Sequence, residues 1–164
     1  MLQSLEGLAY AHRHNIVHRD LKPHNLLLAG SDGRWTAKIG DLGMAKNFEK
    51  AGLSGRTLTG AYAGTPQFMP REQVINFKYV KPVSDVWSLG ATFYGMLTGQ
   101  TPHDFPRGLD PIEVVLGGKI IPIRQRDASL PKKLAEVIDR SLMVKPQERF
   151  QDASEFRRAL EPAL

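Results

Sequence analysis

Apolar residues recur at Leu2, Leu5, Leu8–Ala9 and Ala11–His12, a one-sided stripe at helical spacing that predicts a helix over Met1–His14. No capping residue precedes it, and the pattern is already running at Met1, so the stripe reads as entered part-way. Two short apolar runs follow, Leu26–Ala29 and Thr36–Ile39, and the Gly30-Ser31-Asp32-Gly33 turn between them predicts a hairpin. From about 41 to 66 the pattern dissolves into Gly, Thr and Ser, and a stretch that long without regular structure is expected to be functional or mobile rather than idle. Val83–Leu97 is apolar almost throughout and predicts a helix buried on most sides, stopped by Thr98-Gly99. Pro102, Pro106, Pro111 and Pro122 then break the chain into loops around a short helix near Ile112–Leu116. Leu130–Leu142 and Ala153–Leu160 read as amphipathic helices, with Leu130-Pro131 as the entry of the first and Asp152 as the N-cap of the second. The fold class expected is mainly α with a small β-hairpin near the start.

Composition narrows the chemistry. A length of 164 residues suits one domain, and 41% hydrophobic with 24% charged residues suits a folded globular chain. There is no cysteine, which removes disulfides, thiolate nucleophiles and cysteine-ligated metal centres. No apolar run approaches the ~20 residues of a membrane span, and no signal peptide opens the chain, so a cytoplasmic setting is expected, whether of a free protein or of the cytoplasmic part of an anchored one. The net charge of +5 lies in one half: residues 1–82 carry 11 Lys+Arg against 6 Asp+Glu, and residues 83–164 carry 11 against 11. That asymmetry raises a nucleic-acid-binding helical domain as a reading. The basic residues are scattered, however, without a dense cluster, and no nucleic-acid partner is expected.

The informative residues are local. His18-Arg19-Asp20-Leu21-Lys22-Pro23-His24-Asn25 sits between the first helix and the hairpin. Lys38-Ile39-Gly40-Asp41-Leu42-Gly43 closes the second strand, and Gly64-Thr65-Pro66-Gln67-Phe68-Met69-Pro70-Arg71-Glu72 follows the irregular stretch. Asp85-Val86-Trp87-Ser88-Leu89-Gly90 opens the apolar helix, and Pro146-Gln147-Glu148-Arg149-Phe150 separates the last two. Together they place a carboxylate, an ammonium and a carboxamide at intervals of two and three residues, with a second carboxylate at the end of the second strand.

In this order the motifs resemble the catalytic domain of eukaryotic-like, bacterial-type serine/threonine protein kinases, and they cover its C-terminal lobe over the whole chain. The resemblance implies a catalytic loop at 16–25, an activation segment at 41–72 and a helical subdomain at 82–161. It implies Asp20 as catalytic base, Lys22 as the cation beside it, and Thr65 as the residue that helps hold both. ATP and Mg²⁺ are the implied cofactors: Asn25 and Asp41 as metal ligands, Lys22 toward the phosphates, and Leu27 under the adenine. Lys22 also marks the serine/threonine class, because tyrosine kinases usually carry Ala or Arg in this stretch. Structural roles fall to His18, to Leu42 (where the family usually has Phe), to Asp85 bracing the catalytic loop, and to Glu72 paired with Arg149. Pro70-Arg71 stands where Ala-Pro is usual, a departure that bears on the local backbone more than on the chemistry. Arg19 and Lys46 are the implied cations for a phosphorylated loop residue, with Thr59 first, Thr57 next and Ser54 as a further candidate.

No Gly-x-Gly-x-x-Gly strand, no Val-Ala-x-Lys strand and no regulatory-helix Glu occur in the 164 residues. The expectation is therefore a kinase C-terminal lobe without its N-terminal lobe, the latter being the first partner implied, alongside protein substrates bearing Ser or Thr. Such a piece alone is expected to catalyse little. The runner-up is a non-catalytic, pseudokinase-like module that binds partners, and the retention of Asp20, Lys22, Asn25 and Asp41 together argues against it.

Overall fold

In the computed structural model, which describes residues 1–42 and 65–164, the chain is organised around one sealed helix. Helices and strands are numbered in chain order: α1 Leu2–Arg13, β1 Leu26–Ser31, β2 Arg34–Ile39, α2 Arg71–Ile75, α3 Pro82–Thr98, α4 Pro111–Gly117, α5 Ile123–Arg126, α6 Lys132–Ser141 and α7 Ala153–Leu160. Short 3₁₀ turns lie at Pro23–Asn25, Pro66–Phe68, Phe77–Tyr79, Pro146–Glu148 and Glu161–Ala163.

Every residue of α3 from Val83 to Tyr94 is buried, so its polar members need partners. Ser88 and Thr92 return their hydroxyls to the carbonyls of Ser84 and Ser88, at 3.3 and 2.8 Å. Trp87 Nε1 donates to the Leu142 carbonyl and Tyr94 donates to that of Ile121. Gly90 allows the closest approach: a Cβ there would run into Ser141 Oγ on α6. Gly99, at φ 69°, ends the helix with its N–H on the Gly95 carbonyl.

The other helices wrap α3. α1 buries Leu5, Leu8 and Ala9 against α7 and β2, and α6 and α7 add Leu134, Ile138, Phe156 and Leu160 to the same core. At the start of α7 the Asp152 carboxylate accepts the Glu155 N–H at 2.8 Å, and Glu155 in turn accepts the Gln151 N–H at 2.7 Å. Asp152 is the N-cap that the sequence predicts.

Two expectations need correction. The strands run two residues further than expected toward each other, pairing Gly30 with Trp35 and Ser31 with Arg34. The turn is therefore Asp32-Gly33 alone, both at positive φ (53° and 77°), the two-residue geometry that matches strand twist. Pro131 also stands just before α6 as its N-cap residue instead of opening the helix. The short helices α2 and α5 had no counterpart in the apolar pattern, because four or five residues are too few to establish a period. Among the described residues no helix is long and apolar enough to cross a membrane.

Candidate active site

The loop from His18 to Asn25 is held from three sides. From α3, the buried Asp85 carboxylate accepts the backbone N–H groups of His18 (2.7 Å) and Arg19 (2.9 Å). Its Oδ2 also accepts from His12 Nε2 on α1, at 3.0 Å. Consecutive N–H groups converging on one carboxylate form a small anion-binding nest, and they account for the unusual backbone of Arg19, whose φ is 70°. From α2, Gln73 donates its amide to the Arg19 carbonyl at 2.7 Å. From the hairpin side, His18 Nε2 lies 2.9 Å from the Gly40 carbonyl. Since His18 Nδ1 accepts the Asp20 N–H, the ring proton sits on Nε2 and is donated to Gly40.

That scaffold presents a compact polar cluster. Lys22 Nζ donates to Asp20 Oδ2 at 2.8 Å and to Thr65 Oγ1 at 3.3 Å, joining the loop to a residue 43 positions further along the chain. Asn25 spends its amide N–H groups on Asp20, 2.7 Å from the carbonyl and 3.4 Å from Oδ2. Its carboxamide oxygen is then the end available to an incoming cation. The Asn25 carbonyl also accepts the Gly40 N–H at 2.8 Å, so Asp41 emerges from the hairpin beside it, with φ at 57°. The structure thus brings Asp20, Lys22, Asn25 and Thr65 into direct contact and Asp41 to the adjoining strand end. Leu27 is exposed on the hairpin, and Leu42 is exposed at the edge of the described residues. Lys46, Ser54, Thr57 and Thr59 lie outside them.

Glu72 and Arg149 meet as a two-pronged pair, Nη1 to Oε1 at 2.6 Å and Nη2 to Oε2 at 3.0 Å. The pair is lopsided: the arginine side chain is 1% exposed and the glutamate 28%. Arg149 also donates to the carbonyls of Met143, Val144 and Val83, and Ser84 donates to Glu72 Oε1. Pro70 precedes α2 and is buried, and Arg71 points to solvent, so the unusual Pro-Arg pair is accommodated in an ordinary helix start.

His12 and Gln73 were not singled out by sequence reasoning. His12 belongs to the apolar stripe of α1, and Gln73 lies in a polar stretch with no motif, so neither carried a signal.

The Protein kinase domain matches residues 1–159 of this chain. The chain belongs to the protein kinase family. Its similarity extends to a bacterial serine/threonine-protein kinase, drp72 of Corynebacterium efficiens, at 35% identity over 98% of this chain and 29% of the relative. It is 33% identical to the serine/threonine-protein kinase PknB of Mycolicibacterium smegmatis, over 93% of this chain and 24% of the relative. A 42% identity to the carbon catabolite-derepressing protein kinase of Candida albicans covers 62% of this chain and 15% of the relative. The chain therefore spans less than a third of the length of these kinases. The mainly helical fold with one hairpin agrees with membership of this family.

Proposed function

We propose that the protein containing this chain is a serine/threonine protein kinase, moving the terminal phosphoryl of ATP to Ser or Thr hydroxyls of proteins, with the chemistry carried by Asp20, Lys22, Asn25, Asp41 and Thr65. The observation that supports this best is the cluster in which Lys22 bridges Asp20 and Thr65 while Asn25 holds Asp20 from the other side. In this reading Asp20 accepts the hydroxyl proton through a carboxylate oxygen whose direction is set by Lys22 and Asn25. The Lys22 ammonium also offsets negative charge on the transferring phosphoryl, and Thr65 keeps it from swinging away.

The donor set fits a magnesium ion held jointly with substrate phosphates. Asn25 offers one hard oxygen donor and Asp41, at the adjoining strand end, a second, and among the described residues no group of three His, Cys, Asp or Glu forms a protein-only cage. Bound there, Mg²⁺ would supply charge neutralisation at the phosphate oxygens. Leu27 would lie under the nucleotide base. We place the glycine-rich strand and strand lysine of the family outside these 164 residues, and expect the 164 residues alone to turn over little.

The test is phosphorylation of a Ser/Thr protein substrate by the longer parent protein. Asp20→Asn keeps the shape and removes the base, and Asp41→Ala removes a donor. Each should lower the rate by ~10²–10⁴-fold. A wild-type rate in either variant would rule out these assignments.

A further inference from the structure

Arg19 stands immediately before Asp20 with φ at 70°, a left-handed backbone that is uncommon for a residue with a Cβ and persists where its surroundings impose it. Both of its peptide planes are pinned. The plane entering Arg19 is fixed from α3, where the Asp85 carboxylate accepts the Arg19 N–H at 2.9 Å. The plane leaving Arg19 is the one that enters Asp20. Its carbonyl accepts the Gln73 amide from α2 at 2.7 Å, and its N–H donates to His18 Nδ1 at 3.3 Å. His18 belongs to the same loop, so Gln73 supplies both the shorter bond and the one that reaches a separate element.

Gln73 is 3% exposed, and only half of its carboxamide is used. The Arg19 carbonyl can only accept, so the NH₂ end faces it, and Oε1 is buried without a hydrogen-bond partner. The residue thus satisfies one acceptor and strands another. A methionine of similar length would leave the Arg19 carbonyl unmet but bring no orphaned oxygen of its own, so the fold gains little from glutamine here. What glutamine adds is a hold on one carbonyl. The neighbouring residue gives that hold a firm base, because Glu72 is bound two-pronged by the buried Arg149, at 2.6 and 3.0 Å.

We propose that Gln73 is a positioning residue for phosphoryl transfer: by fixing the Arg19–Asp20 peptide plane, it sets the direction in which the Asp20 carboxylate meets the attacking hydroxyl. The proposal rests on the kinase reading given above. Without the Gln73 donor the plane can rotate and relieve the left-handed Arg19, and Asp20 turns with it. Asn25 and Asp41, the donors for the metal and its nucleotide, are not touched by Gln73, so the loss falls on the chemical step.

Two variants of the longer parent protein, assayed on a Ser/Thr protein substrate, test this. In Gln73→Met, kcat should fall about ten- to a hundred-fold while KM for ATP stays within about two-fold. The urea midpoint of the same variant in the 164-residue chain should hardly move. Gln73→Glu keeps the shape but sets a carboxylate oxygen against the Arg19 carbonyl, and should lower kcat at least as far. An unchanged kcat in either variant would overturn the proposal, as would a rate that falls only in step with the folded fraction. The plane itself can be read in the 164-residue chain. Unaltered, one Gln73 side-chain amide proton should exchange slowly with solvent, and the Arg19 ¹³Cα and ¹³Cβ shifts should be those of a left-handed residue. In Gln73→Met those shifts should move away from left-handed values. Fast exchange in the unaltered chain, a measurement that needs no variant to fold, or unmoved shifts in the variant would also overturn it. A parent protein that transfers no phosphoryl when unaltered would sink the kinase reading and the role with it, while the exchange and shifts would separately report whether Gln73 holds the plane.

Discussion

Along α3 every residue from Val83 to Tyr94 is out of solvent, whereas across the hairpin Leu28 and Trp35 are 69% and 54% exposed. The two regions reach the same loop from opposite sides. On the helix side the Asp85 carboxylate fixes the backbone of His18 and Arg19, while on the hairpin side the carbonyl of Gly40 receives His18 and that of Asn25 receives the Gly40 N–H. A side chain on a sealed helix is a fixed reference point, because moving it would open well-packed core. Among the described residues, two antiparallel strands with exposed apolar side chains are held mainly by their own ladder and the α1 contact. The loop is thus anchored to the helices, and the hairpin is positioned by the loop as much as it positions it.

Asp85→Ala breaks this contrast at its strongest point. It leaves the N–H groups of His18 and Arg19 and the His12 ring nitrogen without their acceptor, in a site closed to water. Each buried unsatisfied donor costs ~1–3 kcal/mol, so a loss of about 4–5 kcal/mol is expected in urea unfolding, against a typical total of ~5–15 kcal/mol. A loss below about 1 kcal/mol would show that the loop does not depend on the helix.

Arg149→Ala should cost somewhat less, about 3 kcal/mol, at the lower end for a pair broken on one side. The guanidinium is sealed, and its removal strands the carbonyls of Met143, Val144 and Val83. Glu72, however, reaches solvent over part of its surface and can be hydrated once alone. The ranking of the two losses is the sharper measurement. If Arg149→Ala proves the costlier, the tie between α2 and the late helices matters more than the anchor under the loop.

Much of this division was legible in the residues. The unbroken apolar run of Val83–Leu97 predicted the sealed helix, and the Asp152 cap and the period of Ala153–Leu160 predicted α7 to the residue. The polar cluster was legible as spacing, because Asp20, Lys22 and Asn25 lie within one loop and have few ways to be far apart. Contacts across the chain were not. Nothing near Gln73 announces that it will hold the Arg19 carbonyl 54 residues away, and His12 reads as one more member of a stripe. The turn was misplaced because Gly30 and Ser31 look like turn residues, while the ladder continues through both and leaves the bend to Asp32-Gly33.

Leu28→Thr tests the weaker half of the comparison and should have the smallest effect. Leu28 pairs with Ala37 in the ladder, a contact of backbone to backbone that the substitution keeps. Threonine is itself a good strand former, so the backbone preference is not lost. With most of the leucine surface already in water, little burial is forfeited, and the expected change in the unfolding free energy of the 164-residue chain, read from urea titration, is within ~0.5 kcal/mol. A loss above about 1.5 kcal/mol would mean that this face is covered in solution, and the contrast between sealed helix and bare hairpin would fall. Repeating the measurement in the longer parent protein sharpens the point. A cost that appears there alone would place a covering element of that protein on Leu28, turning an exposed apolar strand into half of an interface.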